Sequence, residues 1–254
     1  MTHTLSIKSP SLSQEGLKLI ACITMLIDHI GATIVLQLVY AAESAGDYRQ
    51  LYGIYQWMRI IGRLAFPIYA FLLAEGSFHT RNPQKYALRL FLAALIAEIP
   101  YDLGLHGALS WQHQNVMITL LLSFLALQAM KKTPSPALKL LIALPFSILA
   151  RYLHGDYGSN GVWLVVLFAL TRDLPHRGLW QFLGIWMIFS PGHLMMLNWL
   201  DGFSLQIQEL AVLAVVPISL YSGSKRSRSK ALQWAFYLFY PVHTALLWII
   251  QEVI

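Results

Sequence analysis

The residues of greatest chemical interest are an acid and an imidazole that lie side by side in a long apolar segment. Asp28 and His29 occur halfway along the run from Leu17 to Tyr40. At bilayer depth such groups cost on the order of several kcal/mol unless a function uses them or a partner satisfies them. A neutral imidazole is also well suited to act as a general base near neutral pH. The pair therefore marks a candidate site, with His29 as its base.

Two arginines and two carboxylates have spacings that place each pair on one face of a helix. Arg59 and Arg63 are four residues apart, and Glu98 and Asp102 repeat this spacing on the next predicted helix. At about 1.5 Å per residue, Arg63 and Glu98 lie at similar depth, with Arg59 and Asp102 slightly above them. We expect two ion pairs in register between these helices. This ladder either serves the site or only fixes helix packing, for which buried charges are costly.

Other polar residues are expected near the same site. Adjacent residues on a helix point about 100° apart, so Asp28 should pair with another neighbour and should not orient His29. A carboxylate from another helix is better placed to orient the imidazole, and Glu98 is the first candidate. Nearby guanidinium groups can hold a phosphate or stabilise an oxyanion. The remaining candidates, in the outer half of the predicted bundle, are Asn115, Asp156, Tyr157 and His243.

The elements that must position these residues are transmembrane helices. The chain is 57% hydrophobic and 12% charged, whereas soluble domains carry about 25% charged residues. Apolar windows near the roughly 20 residues needed to cross a bilayer recur along the whole sequence. The sequence predicts an all-α, polytopic membrane bundle of about nine transmembrane helices, forming a single integral-membrane domain over residues 1–254. The windows are 17–40, 57–78, 84–103, 115–130, 136–152, 161–171, 179–197, 205–222 and 231–253.

Lysine and arginine are distributed unevenly between the two sides of this predicted bundle. With nine crossings and the N-terminus inside, the outer side receives only Arg49 and Arg151, and Arg59 and Arg63 fall inside a span. Since cytoplasmic loops carry the excess of basic residues, the N-terminus is predicted to be cytoplasmic. The basic stretch 225–230 then anchors the chain at anionic lipid and is not a nucleic-acid site. The inner side receives Lys8, Lys18, Arg81, Lys85, Arg89, Lys131, Lys132, Lys139, Arg172, Arg177, Lys225, Arg226, Arg228 and Lys230.

Several kinds of chemistry have no sequence signature. The single cysteine, Cys22, excludes an internal disulfide and a cysteine-based metal cluster. The chain has no Walker loop, no HExxH and no Gly-x-Ser-x-Gly elbow, and its histidines and acids lack standard metal-ligand spacing. No metal is therefore predicted. A base beside guanidinium groups suits transfer of an acyl group from a thioester to an amine or hydroxyl.

The polar motifs resemble those of the TraX family, in the same order and spacing over nearly the whole chain. They are LKLIACITMLIDHIG, RIIGRLAFPIYAFLLAEG, HTRNPQKYALRL, AEIPYDL, HQNVMITLLL, DYGSNGV and YLFYPVH. That family is named for a conjugal-transfer protein that acetylates the N-terminus of pilin, and it looks like the wider group of transmembrane acyltransferases. The resemblance implies a bacterial inner-membrane protein that takes acetyl-CoA from the cytoplasm.

The resemblance also implies roles for individual residues. His29 matches the acid–histidine motif and would be the catalytic base. Beyond the resemblance, we expect Arg63 or Asn115 to stabilise the oxyanion, and Arg81, Lys85 or other inner-loop cations to contact the phosphates of the donor. The residues that match the family's other polar motifs are Arg59, Arg63, Glu98, Asp102, Asn115, Asp156 and Tyr157.

Two other classes of function remain open at this point. The same acid, histidine and arginine side chains could line a proton or solute path in a membrane transporter. Alternatively, the charges could only hold helices together in an assembly factor. The sequence contains no internal repeat, which is evidence against a transporter built from inverted halves. The acceptor of the acyl group is not indicated by any motif.

Overall fold

The computed structural model describes residues 11–190, 207–223 and 229–253. Within these ranges the chain forms nine helices and no β-strand, which confirms the all-α prediction. The predicted spans 179–197 and 205–222 extend in part beyond the described residues. Lys8, Lys225, Arg226 and Arg228 also lie outside them.

The first two helices are the longest, and each begins at a serine cap. Helix α1, Gln14–Tyr40, starts after Ser13, whose hydroxyl accepts a hydrogen bond from the first turn at 3.1 Å. Helix α2, Ala45–His79, starts after Ser44, whose hydroxyl does the same at 3.0 Å. These bonds satisfy N–H groups that lack partners within the helix. By length and composition, both helices are long and apolar enough to cross a membrane.

Helix α2 is interrupted at Arg63 and Leu64, where a turn joins its two α-helical parts, Ala45–Gly62 and Ala65–His79. Pro67 explains the position of this turn, because proline lacks the N–H that would donate to the carbonyl four residues earlier, at Arg63. The second part begins so that Pro67 lies in its first turn, where no N–H is required. Pro67 therefore places a turn at Arg63, which is a candidate site residue.

Helix α3, Pro83–Tyr101, continues as a π-helical turn, Asp102–His106. Asn82 caps it by accepting a hydrogen bond from the first turn at 2.9 Å, as its sequence predicts. Proline inside a helix removes one backbone hydrogen bond and often ends the helix, but this helix passes through Pro100.

The remaining helices are shorter. They are α4 (Val116–Met130), α5 (Pro136–Tyr152), α6 (Gly158–Thr171), α7 (Arg177–Phe189), α8 (Val215–Ser219, after a 3₁₀ segment, Ile207–Ala214) and α9 (Lys230–Gln251). Helix α4 packs against α3, α5, α6 and the second part of α2, so it lies at the centre of the bundle. Helix α9 packs against α3 and α1. The last described helix, α9, therefore lies beside the first helix, α1.

Helix ends gather at two ends of the bundle. At the end where α1 begins, called the proximal end, Leu12 pairs with Tyr221 of the segment after α8. At the opposite end, called the distal end, Gln114 before α4 pairs with Gly155 after α5. Between the two ends the core is apolar, with Phe124 of α4 and other large side chains fully buried.

Candidate active site

Asp28 of α1 binds both arginines of α2. Its Oδ2 accepts a hydrogen bond from Arg59 at 2.8 Å, and its Oδ1 accepts one from Arg63 at 2.7 Å. Asp28 therefore pairs with a neighbour other than His29, as predicted. The predicted ladder of Arg63 with Glu98 and Arg59 with Asp102 is wrong. The reason is packing: α2 lies against α1, whereas α3 packs mainly against α4 and α9.

His29 is oriented by a second imidazole, His243 of α9. His29 Nδ1 lies 2.7 Å from His243 Nε2, and His243 Nδ1 lies 2.6 Å from the carbonyl oxygen of Phe239. A carbonyl oxygen can only accept, so His243 Nδ1 carries a proton and the Nε2 of neutral His243 accepts. His29 then donates from Nδ1, and its Nε2 keeps a lone pair. Sequence reasoning placed a carboxylate, first of all Glu98, in the position that His243 occupies.

Glu98, Asp102 and Asn115 form a separate cluster that joins α3 to α4. The Asn115 side-chain nitrogen donates to the Ala94 carbonyl at 2.8 Å and also to Glu98, while its oxygen caps α4. Asp102 accepts a hydrogen bond from the Ser110 backbone at 2.9 Å. Because both amide hydrogens of Asn115 are used, this residue does not supply the oxyanion donor that sequence reasoning assigned to it.

A cavity of about 550 Å³, called the distal cavity, opens beside His29. Side chains from α1, α2, α3, α4 and α9 line it, together with the turn that precedes α6. Of the predicted site residues, its lining contains Asp28, His29, Arg59, Arg63, Asp156 and Tyr157, and does not contain Glu98, Asp102, Asn115, Arg81 or His243.

The turn between α5 and α6 brings a carboxylate and a phenol to the distal cavity. Tyr157 has a left-handed backbone (φ 61°), and its ring stacks on Phe66 with 3.7 Å between ring centroids. Asp156 is held by the Tyr157 N–H at 3.0 Å and, through its carbonyl, by the Thr119 hydroxyl at 2.6 Å. Burial raises the pKa of Asp156 to about 6, and the positive charge of Arg63 limits that rise. At pH 7 the carboxylate is therefore mainly ionised.

The chain as a whole is similar to known proteins. The sequence model of one protein family, TraX protein, matches residues 13–251. The chain belongs to the TraX family. A probable fimbrial assembly protein FimC, serogroup H1, from Dichelobacter nodosus is 32% identical over 248 residues, covering 91% of this chain and 92% of that protein. No solved structure matches the chain. The TraX resemblance of the polar motifs is confirmed.

One residue of this TraX-family site was missed from the sequence. Gln208, in the 3₁₀ segment before α8, accepts a hydrogen bond from Arg63 at 2.6 Å and lines the distal cavity. Its side-chain nitrogen is buried, and no hydrogen-bond partner for it occurs in the described part of the chain. The only signal was a polar residue inside the apolar window 205–222. A buried amide donor without a partner is uncommon and suggests a role with a ligand.

A second cavity of about 340 Å³, called the proximal cavity, lies toward the proximal end. It shares four lining residues with the distal cavity: Tyr69, Met117, Leu120 and Phe236. Glu75 lines the proximal cavity and binds Arg172 at 2.8 Å, although the sequence suggested Lys85 or Arg81 as its partner. Arg81 is exposed and lines neither of these cavities.

Proposed function

We propose that this TraX-family chain is an integral-membrane acetyltransferase, which moves an acetyl group from acetyl-CoA to an amine or hydroxyl at the outer half of the membrane. The observation that carries the proposal is the chain of two hydrogen bonds that links the Phe239 carbonyl to His243 and His243 to His29. It leaves a basic nitrogen of His29 at a cavity lined by two arginines. A base with a defined tautomer beside cationic groups is what acyl transfer requires.

In the proposed reaction His29 both removes and returns a proton. His29 Nε2 takes the proton of the acceptor as the acceptor nitrogen or oxygen bonds to the thioester carbonyl carbon. The imidazolium then gives this proton to the departing thiolate as the carbon–sulfur bond breaks. The products are the acetylated acceptor and coenzyme A with a free thiol. His243 remains neutral and holds His29 through the same hydrogen bond during both steps.

Arg63 and Gln208 are the proposed donors for the oxyanion that develops on the thioester oxygen. Arg59 and Arg63 share one carboxylate, Asp28, so this group of three keeps one net positive charge. The Gln208 oxygen is held by Arg63, which leaves its amide nitrogen for a ligand. Such donors are most effective where water is excluded. Removing a single donor of this kind typically lowers the rate by about 10²- to 10³-fold.

The proposed location is a bacterial inner membrane, crossed about nine times, with the proximal end in the cytoplasm. The lengths and apolar composition of α1 and α2 support this location. Exposed apolar side chains on α3, including Leu95, Ile96 and Ile99, also support it, because water would not favour such a surface. The excess of lysine and arginine at the proximal end supports the orientation.

The acceptor is proposed to be a pilin or another peptide delivered to the outer face. The similar protein from Dichelobacter nodosus is described as a probable fimbrial assembly protein, which supports a substrate in pilus assembly. Within the structure, the carboxylate of Asp156 at the distal cavity can bind an ammonium group. An amine acceptor is therefore favoured over a hydroxyl.

A transporter that uses the same buried charges is the second candidate, and the meeting of two cavities is the observation in its favour. However, the residues shared by the cavities are large and mainly apolar: Tyr69, Met117, Leu120 and Phe236. A path for ions or polar solutes would need hydrogen-bonding groups at this point. Group transfer requires only that the reactive end of a donor pass through.

The test is labelled acetyl-CoA added to membranes that contain this chain, followed by identification of the labelled product. We expect His29→Ala to lower the transfer rate by about 10²- to 10⁴-fold, because it removes the general base. His176→Asn is the matched control: this imidazole is exposed, and asparagine tolerates its left-handed backbone. Transfer at the wild-type rate by His29→Ala would overturn the mechanism. Solute flux into proteoliposomes without acetyl-CoA would favour the transporter.

A further inference from the structure

The proximal cavity combines positive charge with aromatic rings. Its charged lining residues are Lys18, Glu75, His79 and Arg89. Glu75 is bonded to Arg172 at 2.8 Å and lies 3.6 Å from His79, so its negative charge is already matched. Apart from Glu75 and its partner His79, the charged lining residues are the cations Lys18 of α1 and Arg89 of α3. A cavity of this kind favours an anionic ligand.

Both cations are placed against aromatic rings of the lining. Lys18 Nζ lies 5.0 Å from the ring centroid of Phe236, and the Arg89 guanidinium carbon lies 5.5 Å from that of Tyr86 and 5.9 Å from that of Tyr237. Cation–π contacts of this length hold the charged groups near the rings. A guanidinium binds phosphate oxygens in pairs, and the aromatic rings offer flat surfaces to a planar base. The cavity thus matches a ligand with phosphates and an aromatic ring at one end.

The distance between the two cavities is close to the length of the pantetheine arm of coenzyme A. Lys18 and His29 lie on the same helix, eleven residues apart (29 − 18), which is about 16 Å along its axis at ~1.5 Å per residue. The pantetheine arm of coenzyme A has about the backbone length of four extended residues, or ~14 Å. The four shared residues form an apolar collar between the two cavities. An arm of this length can pass through the collar while the phosphates stay outside it.

We propose that the proximal cavity binds the phosphorylated nucleotide end of the acyl-CoA donor, with Lys18 and Arg89 as its phosphate contacts. The thioester then reaches His29 through the collar. This inference rests on the proposed acetyltransferase function and replaces Arg81 and Lys85 as the expected phosphate contacts. Neither Arg81 nor Lys85 lines either cavity, whereas Lys18 and Arg89 both line the proximal cavity.

The test is equilibrium binding of labelled coenzyme A to the purified full-length protein in detergent. Lys18→Gln and Arg89→Gln should each weaken binding by about tenfold or more, since each removes a charge-assisted phosphate contact. Arg89→Lys should weaken it less, because the charge remains. Lys132→Gln is the matched control, as this lysine is exposed at the proximal end and lines neither cavity. An unchanged melting temperature shows that each variant is folded.

The outcomes separate this inference from the proposed function. Wild-type affinity in Lys18→Gln and Arg89→Gln, or no binding of coenzyme A to the wild-type protein, would overturn the donor site. A greater loss in Arg81→Gln or Lys85→Gln would overturn it as well. His29→Ala should bind coenzyme A with unchanged affinity while transfer is lost. If the cavity variants weaken binding but His29→Ala still transfers acetyl groups normally, the donor site stands and the assignment of the base is wrong.

Discussion

At the scale of single residues, the pairing of the charges decides what each polar side chain can do. Asp28 is used by Arg59 and Arg63, so it cannot also act on His29. His243 orients His29 without adding a negative charge beside it. Asp28 neutralises one of the two arginine charges, and the Asp156 carboxylate lines the same cavity. The N–H groups of Arg63 and Gln208 are therefore the feature that a developing oxyanion would use.

His243 is expected to be a positioning residue, and its removal tests the tautomer of His29. His243→Leu should lower kcat by roughly 10- to 100-fold with little change in KM, because His29 loses the acceptor that holds its Nδ1 proton. His243→Gln should recover part of the rate, since its side-chain oxygen can accept the same hydrogen bond. Steady-state kinetics with acetyl-CoA measure both. Equal loss in the two variants would assign His243 a purely structural role.

At the scale of elements, the close approach of α1 and α2 at Asp28 depends on a glycine, Gly62. A Cβ added at Gly62 would overlap the Asp28 carboxylate, so only glycine lets the two helices approach this closely. The next residue in the chain, Arg63, begins the turn of α2. At this turn the Arg63 side chain donates hydrogen bonds to Asp28 and Gln208. The interruption caused by Pro67 and the close approach at Gly62 therefore act together to build the arginine–aspartate group.

Gly62→Ala should displace Asp28, lower the free energy of unfolding by about 1–3 kcal/mol and reduce transfer at least tenfold. The overlap cannot be relieved without moving a buried ion pair. Gly53→Ala on the same helix is the matched control, because a Cβ there meets no atom within 4 Å. That change should stabilise the helix by up to about 1 kcal/mol. Thermal unfolding in detergent measures both, and equal stability of the two variants would contradict the role of Gly62.

Two π-helical turns also contribute to the site. Gly31–Val35 begins two residues after His29, and the Thr33 hydroxyl donates to the His29 carbonyl at 2.6 Å. The second π-turn, Asp102–His106, faces the first. Such turns leave backbone groups without regular partners and often occur at functional sites. Here the first π-turn supports the backbone that carries the proposed base.

At the scale of the whole molecule, the proposed mechanism assigns the donor to the cavity near one end of the bundle and the reacting groups to the cavity near the other. The proximal cavity lies at the end with the excess of basic residues, and the distal cavity contains the imidazole and the arginines. A donor from one side and an acceptor from the other could then meet at His29 without a moving gate. The orientation of the bundle in the membrane decides which compartment supplies each substrate.

The orientation can be tested by cysteine labelling with a membrane-impermeant maleimide. Trp111→Cys in the loop before α4 should react in intact cells, because Trp111 is 89% exposed at the distal end. Lys132→Cys in the loop after α4 should react only after the cells are opened. The native Cys22 is buried and provides the unlabelled background. The reverse pattern would place the donor site on the wrong side of the membrane for acetyl-CoA.

The sequence by itself determined the helical class and the family. Apolar composition and motif order are properties of the sequence alone, so they do not depend on which helices touch. The sequence also placed Asp28, His29, Arg59 and Arg63 among the site residues, because charged groups in apolar runs are conspicuous.

Only the tertiary structure decided which of these residues meet. Helical periodicity defines the face and depth of a side chain, but it does not define the neighbour across that face. The predicted ladder assumed that α2 and α3 pack together because they are consecutive, whereas α2 packs on α1. His243 reaches His29 from 214 residues away because α9 returns to α1, which no local pattern indicates.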